Sequence, residues 1–240
     1  TRNVLAACRA SGVQRLIYVS SASVVYEGRD IENGDESLPY AQRFPAPYAE
    51  TKRVAEEEVL AQSDGQLATC ALRPHVVFGP GDTRFLPAII NRARAGRLKF
   101  KVGRGQFLSD FTYVTNVVDA LLQAEAQLAP GGTAAGKAYF ITNGEPTPFW
   151  DFVRRVVEPL GLPAPRFTIP YGVAYAAASV REAIDTLRGG TLHAEEGLSR
   201  FAIRYICSHH YFSHARATRD LGYRPRVDIQ RGIERTLATM

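Results

Sequence analysis

The stretch VQRLIYVSS (residues 13–21) decides the fold, together with the helix-forming residues that follow it at 48–61. Residues 13–20 form an apolar, β-branched run without clean alternation, which is typical of a buried parallel strand. Residues 48–61 are rich in Ala, Glu and Lys and indicate a helix, and residues 67–73 predict the next buried strand. This order of strand, helix and strand implies a right-handed crossover within a parallel sheet.

The hydrophobic pattern on either side of this strand–helix–strand unit predicts further helices and strands. Residues 2–11 predict a helix that Gly12 closes. Beyond Pro74 the regular alternation of strand and helix ends. We predict helices there at 84–95, 113–128 and 146–160, the last with Thr147 as its cap, and a strand at 138–142. An extended segment at 163–170 and a mainly helical remainder follow. The sequence therefore predicts a doubly wound parallel α/β sheet followed by a smaller, mostly helical C-terminal lobe.

Composition narrows the class of protein. The formal net charge is +5, but the basic residues are scattered and are not interleaved with aromatic residues, so we expect no nucleic-acid partner. The three cysteines are far apart and odd in number, which favours a reducing compartment. No run of about 18 apolar residues is present, so we predict no membrane-spanning helix and a cytoplasmic location, with peripheral attachment to a membrane as the alternative.

The residues with the most informative chemistry are Tyr48 and Lys52, because positions i and i+4 share one face of a helix. A phenol has a pKa of about 10 and is a poor base at neutral pH. A neighbouring ammonium favours the phenolate and brings the pKa of the tyrosine towards the range of general acid/base catalysis. Ser20 and Ser21 follow the predicted strand at its carboxyl end, where ligands of open parallel sheets bind. We predict that Ser21, Tyr48 and Lys52 form one active site.

Longer segments carry a family resemblance. LIYVSSASVVYEG (16–28), YAETK (48–52), LRPHVVFGPGD (72–82) and DFTYVTNVV (110–118) resemble the extended short-chain dehydrogenases. Within these, SASVVYEG (21–28), DIENG (30–34), LPY (38–40), ITNGEPTPFW (141–150) and IPYGVAY (169–175) resemble the 3β-hydroxysteroid dehydrogenase group, in particular its decarboxylating sterol-4α-carboxylate 3-dehydrogenases. The resemblance extends over nearly the whole chain.

The resemblance implies a role for each matching residue. Tyr48 is the general acid/base, Lys52 binds the nicotinamide ribose, and Ser21 orients the substrate oxygen. Pro74 and Val77 lie against the nicotinamide of NAD or NADP. Residues 1–80 are then the C-terminal half of an NAD(P)-binding Rossmann domain, and residues 81–240 are mainly a substrate-binding lobe with some returning sheet elements.

Two features depart from the family pattern. The glycine-rich fingerprint that cradles a pyrophosphate is absent, since Gly79-x-Gly81 and Gly103-x-Gly105 follow no suitable strand. We therefore expect a truncated chain, in which the fingerprint and the residue that selects NAD or NADP lie upstream of Thr1. The sterol enzymes also resemble membrane-associated proteins after their Ile-Pro-Tyr segment, but here that region is broken by charged residues.

For the substrate we expect a small molecule with a carboxylate near the reacting oxygen. His75 and Arg84 are the predicted carboxylate ligands, because both follow the strand end that should face the nicotinamide. The side chains that we expect to hold its apolar body are Phe85, Leu86, Phe107, Phe111, Tyr171 and Tyr175. Cys207, His209, His210 and His214 lie close in sequence, but we read them as an aromatic stretch before a late helix and predict no metal site.

The favoured reaction is oxidation of the 3β-hydroxyl of a 4α-carboxysterol to the 3-ketone, with loss of carbon dioxide. The segments at 93–98, 128–132 and 136–146 are similar instead to bacterial 2-alkyl-3-oxoalkanoate reductases, which run the same chemistry in reverse on acyclic acids. A nucleotide-sugar epimerase is a third alternative, and a non-catalytic nucleotide-binding module is a fourth that the Ser21, Tyr48 and Lys52 set argues against. If the protein forms an oligomer, we expect a homodimer.

Overall fold

In the computed structural model, residues 1–44, 47–188 and 199–240 are described. The helices are α1 (Arg2–Ala10), α2 (Pro47–Leu60), α3 (Phe85–Arg94), α4 (Val114–Gln127), α5 (Phe149–Val157), α6 (Tyr171–Leu187), α7 (Arg200–Ile206), α8 (Ala215–Leu221) and α9 (Ile229–Leu237). The strands are β1 (Arg15–Val19), β2 (Ile31–Gly34), β3 (Ala68–Pro74), β4 (Val77–Phe78), β5 (Phe100–Val102), β6 (Leu108–Ser109), β7 (Thr112–Tyr113), β8 (Lys137–Ile141), β9 (Thr147–Pro148), β10 (Phe167–Ile169) and β11 (His210–Phe212).

The central sheet has three parallel strands in the order β1-β3-β8. Every residue of β3 is buried, and its side chains alternate between the two faces of the sheet. On one face Ala68, Cys70 and Leu72 pack in a cluster with residues of α4 and α8. On the other face Thr69 Oγ1 donates to the carbonyl of Val59 in α2. Helices thus cover both faces, which confirms the prediction of a doubly wound parallel α/β fold.

The second part of the chain returns to this sheet and also builds smaller ones. β8 pairs in parallel with β3 on the side opposite β1. A four-stranded sheet has the order β2-β11-β6-β9, and two-stranded parallel sheets pair β5 with β10 and β4 with β7. The aromatic core of this part contains Phe78, Phe111 and Phe152, and the rings of the last two stack at 3.9 Å. The C-terminal lobe is helical with short strands between its helices.

Several predicted boundaries needed correction. The helix expected at 146–160 begins at Phe149, and Thr147 lies in β9 and donates its hydroxyl to the carbonyl of Glu145, so it does not cap the helix. The remainder predicted as mainly helical contains β11, which pairs with β2 from far earlier in the chain. Residues 189–198 of that remainder, and residues 45–46 of the loop before Tyr48, lie outside the described residues.

Candidate active site

Lys52 connects helix α2 to the end of the edge strand. Its ammonium donates to the carbonyl oxygen of Val19, the last residue of β1, at 2.8 Å. The same nitrogen lies 5.9 Å from the centre of the Tyr48 ring and 5.0 Å from that of Tyr18. Partial burial lowers the pKa of Lys52 from its ordinary value. The cation is therefore held beside Tyr48 at the carboxyl end of the sheet.

Tyr48 itself is accessible, because 49% of its surface is exposed. It lies in the first turn of α2, and Lys52 follows one turn later on the same face. The accessible Tyr48 ring and the anchored Lys52 ammonium thus lie side by side on one face of α2.

Ser21 and Ser20 differ in accessibility. Ser20 is buried, its N–H donates to Leu72 in β3, and its hydroxyl has no partner among the described residues. Ser21 is partly exposed and caps the 3-10 turn Ala22–Val25, where its oxygen accepts from the Ser23 N–H at 3.2 Å and from the Ser23 hydroxyl at 2.9 Å. These two donors occupy the lone pairs of Ser21 and direct its own proton elsewhere. Of the two serines, Ser21 can donate to a ligand.

The predicted nicotinamide contacts, Pro74 and Val77, lie at the end of β3 and at the start of β4. Pro74 is the buried last residue of β3, whereas Val77 is 40% exposed in β4. Between them Val76 has a φ of 30°, which is strained for a β-branched residue. The bend at Val76 separates the two residues, so that Val77 presents a side chain to the surface and Pro74 does not.

His75 does not offer a cation to a cleft. It is buried, its Nδ1 donates to the carbonyl of Asp110 at 2.8 Å, and its Nε2 accepts from the Tyr205 hydroxyl at 3.1 Å. Burial lowers the pKa of His75 to about 4, so the ring is neutral at physiological pH. This placement argues against the predicted role of His75 in binding a carboxylate.

Arg84 lies at the start of α3 with an exposed side chain. Its backbone N–H donates to Asp82, whose carboxylate also accepts from the N–H groups of Phe85 and Leu86. The structure therefore leaves Arg84 as an accessible cation, separate from the buried His75.

The aromatic side chains predicted for the substrate body fall into two groups. Leu86 and Phe111 are fully buried and, with Phe85, belong to the aromatic core, so their predicted role in a cleft is not supported. Phe107 and Tyr171 line a cavity of about 590 Å³, and Tyr175 stacks on Tyr171 at 5.5 Å. Sequence reasoning did not associate Arg104, Thr168 and Cys207 with this cavity, because they come from three separate segments.

The histidines near Cys207 are engaged in hydrogen bonds within the protein. His209 Nδ1 accepts from the Leu108 N–H, His210 bonds to Ser109 and to the carbonyl of Tyr205, and His214 Nδ1 bonds to Thr142. In residues 1–44, 47–188 and 199–240, no group of three or more His, Cys, Asp or Glu side chains could hold a metal ion.

Two curated relatives are nearly equally similar to this chain. The decarboxylating sterol-4-alpha-carboxylate 3-dehydrogenase of Mus musculus is 40% identical over 99% of this chain, which spans 66% of that protein. The 2-alkyl-3-oxoalkanoate reductase of Stenotrophomonas maltophilia is 42% identical over 100% of this chain, which spans 72% of that protein. The chain thus covers about two thirds of the length of these relatives, and identity alone does not separate them.

Solved structures support the fold and a family model supports the relationship. The chain resembles the UDP-glucuronic acid 4-epimerase of Bacillus cereus, whose structure was determined in complex with NAD, with a TM-score of 0.70, 16% identity, and coverage of 99% of this chain and 65% of that one. At this identity the likeness concerns the fold alone. The family model matches residues 1–171, and with the two relatives it shows that the chain belongs to the 3-beta hydroxysteroid dehydrogenase/isomerase family.

Proposed function

We propose that the protein is an NAD(P)-dependent oxidoreductase that oxidises the 3β-hydroxyl of a 4α-carboxysterol to the 3-ketone, with decarboxylation. The observation that carries this proposal is the Lys52 ammonium held by the Val19 carbonyl beside the accessible Tyr48 ring. The names of the mouse relative and of the family model support the substrate class.

In this reaction Tyr48 accepts the proton of the substrate hydroxyl, and Lys52 lowers the pKa of the Tyr48 phenol by its charge. Ser21 donates its free proton to the substrate oxygen and fixes its position. Once the 3-ketone has formed, the substrate is a β-keto acid, and its own carbonyl accepts the electron pair of the breaking carbon–carboxylate bond as an enolate. The protein therefore needs no separate group for the decarboxylation.

For the cofactor, the chain offers Tyr48, Lys52 and the exposed Val77, with Pro74 shaping the end of the strand. The partly exposed ammonium of Lys52 suits a ribose hydroxyl, which it would bind while it stays near Tyr48. These residues would hold the cofactor, which as NAD⁺ or NADP⁺ would supply the hydride acceptor for the oxidation. In the proposed division of the chain, residues 1–80 hold this cofactor and residues 81–240 mainly hold the substrate.

The alternative with direct support is reduction of 2-alkyl-3-oxoalkanoates, the activity named for the bacterial relative. Both substrates place a carboxylate β to the reacting oxygen, so the same Ser21, Tyr48 and Lys52 set serves either. We would assay the full-length protein with NAD⁺ and NADP⁺ on a 4α-carboxysterol and on a 2-alkyl-3-hydroxyalkanoate. Turnover of the sterol supports the proposal, whereas turnover of the acyclic acid alone replaces it with the reductase. A nucleotide-sugar epimerase would turn over neither.

We further propose a cytoplasmic protein with peripheral contact to a membrane through α6. In residues 1–44, 47–188 and 199–240, no helix is long and apolar enough to cross a bilayer. The outer face of α6 nevertheless exposes Val173, Val180, Ile184 and Leu187, and Arg181 and Arg188 flank this stripe. Flotation of the protein with anionic vesicles tests the membrane contact. Sedimentation tests the alternative: if the protein sediments as a dimer and Leu187→Glu abolishes that dimer, the stripe is the interface of a homodimer instead.

A further inference from the structure

Tyr18 lies in the edge strand β1 and faces the helix that carries Tyr48 and Lys52. Its neighbour Ile17 packs on the other face of the sheet, against the cluster that α4 and α8 cover. Because successive side chains of a strand point to opposite faces, Tyr18 points towards α2. The register agrees, since Tyr18 pairs with Ala71 of β3, which lies on that same face.

The Lys52 ammonium lies over the Tyr18 ring. Its nitrogen is 5.0 Å from the ring centre, within the limit of about 6 Å for attraction between a cation and the face of an aromatic ring. The same nitrogen is 5.9 Å from the centre of the Tyr48 ring. Tyr18 is thus the nearer of the two rings.

The other contacts of Lys52 supply no negative charge. The ammonium donates to the Val19 carbonyl at 2.8 Å, and within the described part of the chain it forms no ion pair. Glu56, one turn further along α2, accepts hydrogen bonds from Arg73 and from the Tyr40 hydroxyl instead. The Lys52 charge is therefore partly buried beside neutral partners.

This environment makes the Tyr18 ring important to the charge. Partial burial disfavours an ammonium and lowers the pKa of Lys52. One carbonyl fixes only one of the three N–H donors, at the end of a flexible four-carbon stem. The negative face of the Tyr18 ring attracts the charged form and gives it a second fixed contact.

The titratable groups around this contact are Tyr48 and Glu56 on α2, with Arg73 of β3 paired to Glu56. Partial burial, followed by the charges of Glu56 and Tyr48, raises the pKa of Tyr18. Tyr18 is therefore a neutral phenol at physiological pH, and its attraction for the ammonium comes from the ring face and not from a phenolate.

We propose that Tyr18 is a positioning residue whose ring holds the Lys52 ammonium at the end of β1, next to Tyr48. The inference rests on the proposed function for the use that is made of this ammonium. Two consecutive residues of the edge strand then hold Lys52: Tyr18 by its ring and Val19 by its carbonyl.

Trace acetylation of amines tests this contact without requiring turnover. The full-length protein would be treated with a trace of acetic anhydride over a range of pH, and the reaction at Lys52 would be mapped by peptide mass. Only the unprotonated amine reacts, so the midpoint of the pH dependence measures the pKa of Lys52. Lys101 in β5 and Lys137 in β8 are internal controls that should not change in any Tyr18 variant.

Tyr18→Leu keeps an apolar side chain but removes the ring. We expect the Lys52 midpoint to fall by about 0.5–1 pH unit, because the charged form loses an attraction while it stays partly buried. Tyr18→Phe keeps the ring without its hydroxyl and should restore the wild-type midpoint. A midpoint that is unchanged in Tyr18→Leu, or that falls equally in Tyr18→Phe, would overturn the proposal.

A second comparison separates the charge of the ring face from packing. A trifluorinated phenylalanine at position 18 has nearly the shape of phenylalanine, but fluorine withdraws the negative charge from the ring face. The Lys52 midpoint should then be lower than in Tyr18→Phe, although the two side chains fill nearly the same space. Equal midpoints in these two proteins would refute the role of the ring face.

The pH profile of kcat connects the contact to the proposed function. Tyr48 acts as the base in the oxidation, so kcat falls at acidic pH as its phenol is protonated. In Tyr18→Leu the ammonium is less well held beside Tyr48, and this acidic limb should move to higher pH and return in Tyr18→Phe. A lowered Lys52 midpoint without turnover of any substrate would support the Tyr18 contact while the proposed function failed. Turnover with an unchanged Lys52 midpoint would overturn the inference and leave the proposed function standing.

Discussion

The chemistry proposed for this protein depends on one hydroxyl, that of Tyr48. Tyr48→Phe removes the group that takes the substrate proton while it keeps the exposed ring next to Lys52. We expect kcat of the full-length protein to fall by at least about 100-fold, the usual loss for a general acid/base. Steady-state kinetics provide the measurement.

Tyr211→Phe is a suitable matched control, because the Tyr211 side chain is partly exposed in β11 and its hydroxyl bonds to no group in the described part of the chain. Activity of that variant should equal wild type. If Tyr48→Phe retained wild-type kcat, Tyr48 would not be the acid/base, whatever the effect of Lys52.

The buried side chain of Asp110 makes the stability of the protein depend on pH. Its side chain is 1% exposed, Oδ2 accepts from the Phe212 N–H, and Oδ1 has no partner in residues 1–44, 47–188 and 199–240. Burial raises the pKa of Asp110 to about 7. An acid whose pKa is higher in the folded state binds more protons there, so its contribution to the free energy of unfolding falls as pH rises from about 4 to about 7.

Asp110→Asn should remove this dependence. From pH 5 to pH 8, the free energy of unfolding of wild type is expected to fall by roughly 2–3 kcal/mol more than that of the variant. This difference is expected even if the variant is less stable at pH 5. His75 and His210 face the same buried region, and their lowered pKa values make the free energy of unfolding rise with pH. Both histidines are present in wild type and in the variant, so their effect cancels in the comparison. Chemical denaturation at the two pH values measures the difference, and a difference that does not change with pH would contradict the assignment.

At the scale of elements, a buried ion pair fixes helix α2 to the sheet. Glu56, one turn after Lys52, accepts from Arg73 of β3 at 2.6 Å and from the Tyr40 hydroxyl at 2.7 Å. The carboxylate is fully buried and the guanidinium is 5% exposed. The helix that carries Tyr48 and Lys52 therefore has its position set by this pair.

Glu56→Ala should leave the Arg73 charge buried and unpaired, and should lower the free energy of unfolding by about 3–5 kcal/mol. The double variant Glu56→Leu/Arg73→Met replaces the pair by apolar side chains and should recover most of that loss. Denaturant titration of wild type and both variants gives the comparison. A double variant as unstable as Glu56→Ala would show that the cost comes from packing and not from the uncompensated charge.

Elements defined by local pattern could be predicted, whereas those defined by distant pairing could not. The predicted strand at 13–20 and helix at 48–61 correspond to β1 and α2. β2 and β11 are short polar and aromatic segments whose pairing joins residues far apart in sequence, so no local periodicity indicated them. The burial of His75 could not be predicted for the same reason, because its ring is covered by Tyr205, which is 130 residues away in sequence.

At the scale of the whole molecule, β1 is the edge of the central sheet. One side of β1 pairs with β3, and no strand in the described part of the chain pairs with its other side. Val19 at its end is 40% exposed, and the remaining residues of β1 are exposed or partly exposed. An open, apolar strand edge favours association with another strand.

A polypeptide that consists of residues 1–240 alone is therefore expected to aggregate and to bind NAD(H) more weakly than the micromolar range. The reason is that its sequence holds the Tyr48 and Lys52 end of the proposed cofactor site but contains no G-x-G-x-x-G fingerprint to bind a pyrophosphate. Calorimetric titration with NADH and NADPH measures the affinity, and light scattering measures the association. A monomeric polypeptide that bound either nucleotide at micromolar concentration would show that these 240 residues contain a complete cofactor site, and the proposed division at residue 80 would then have to be abandoned.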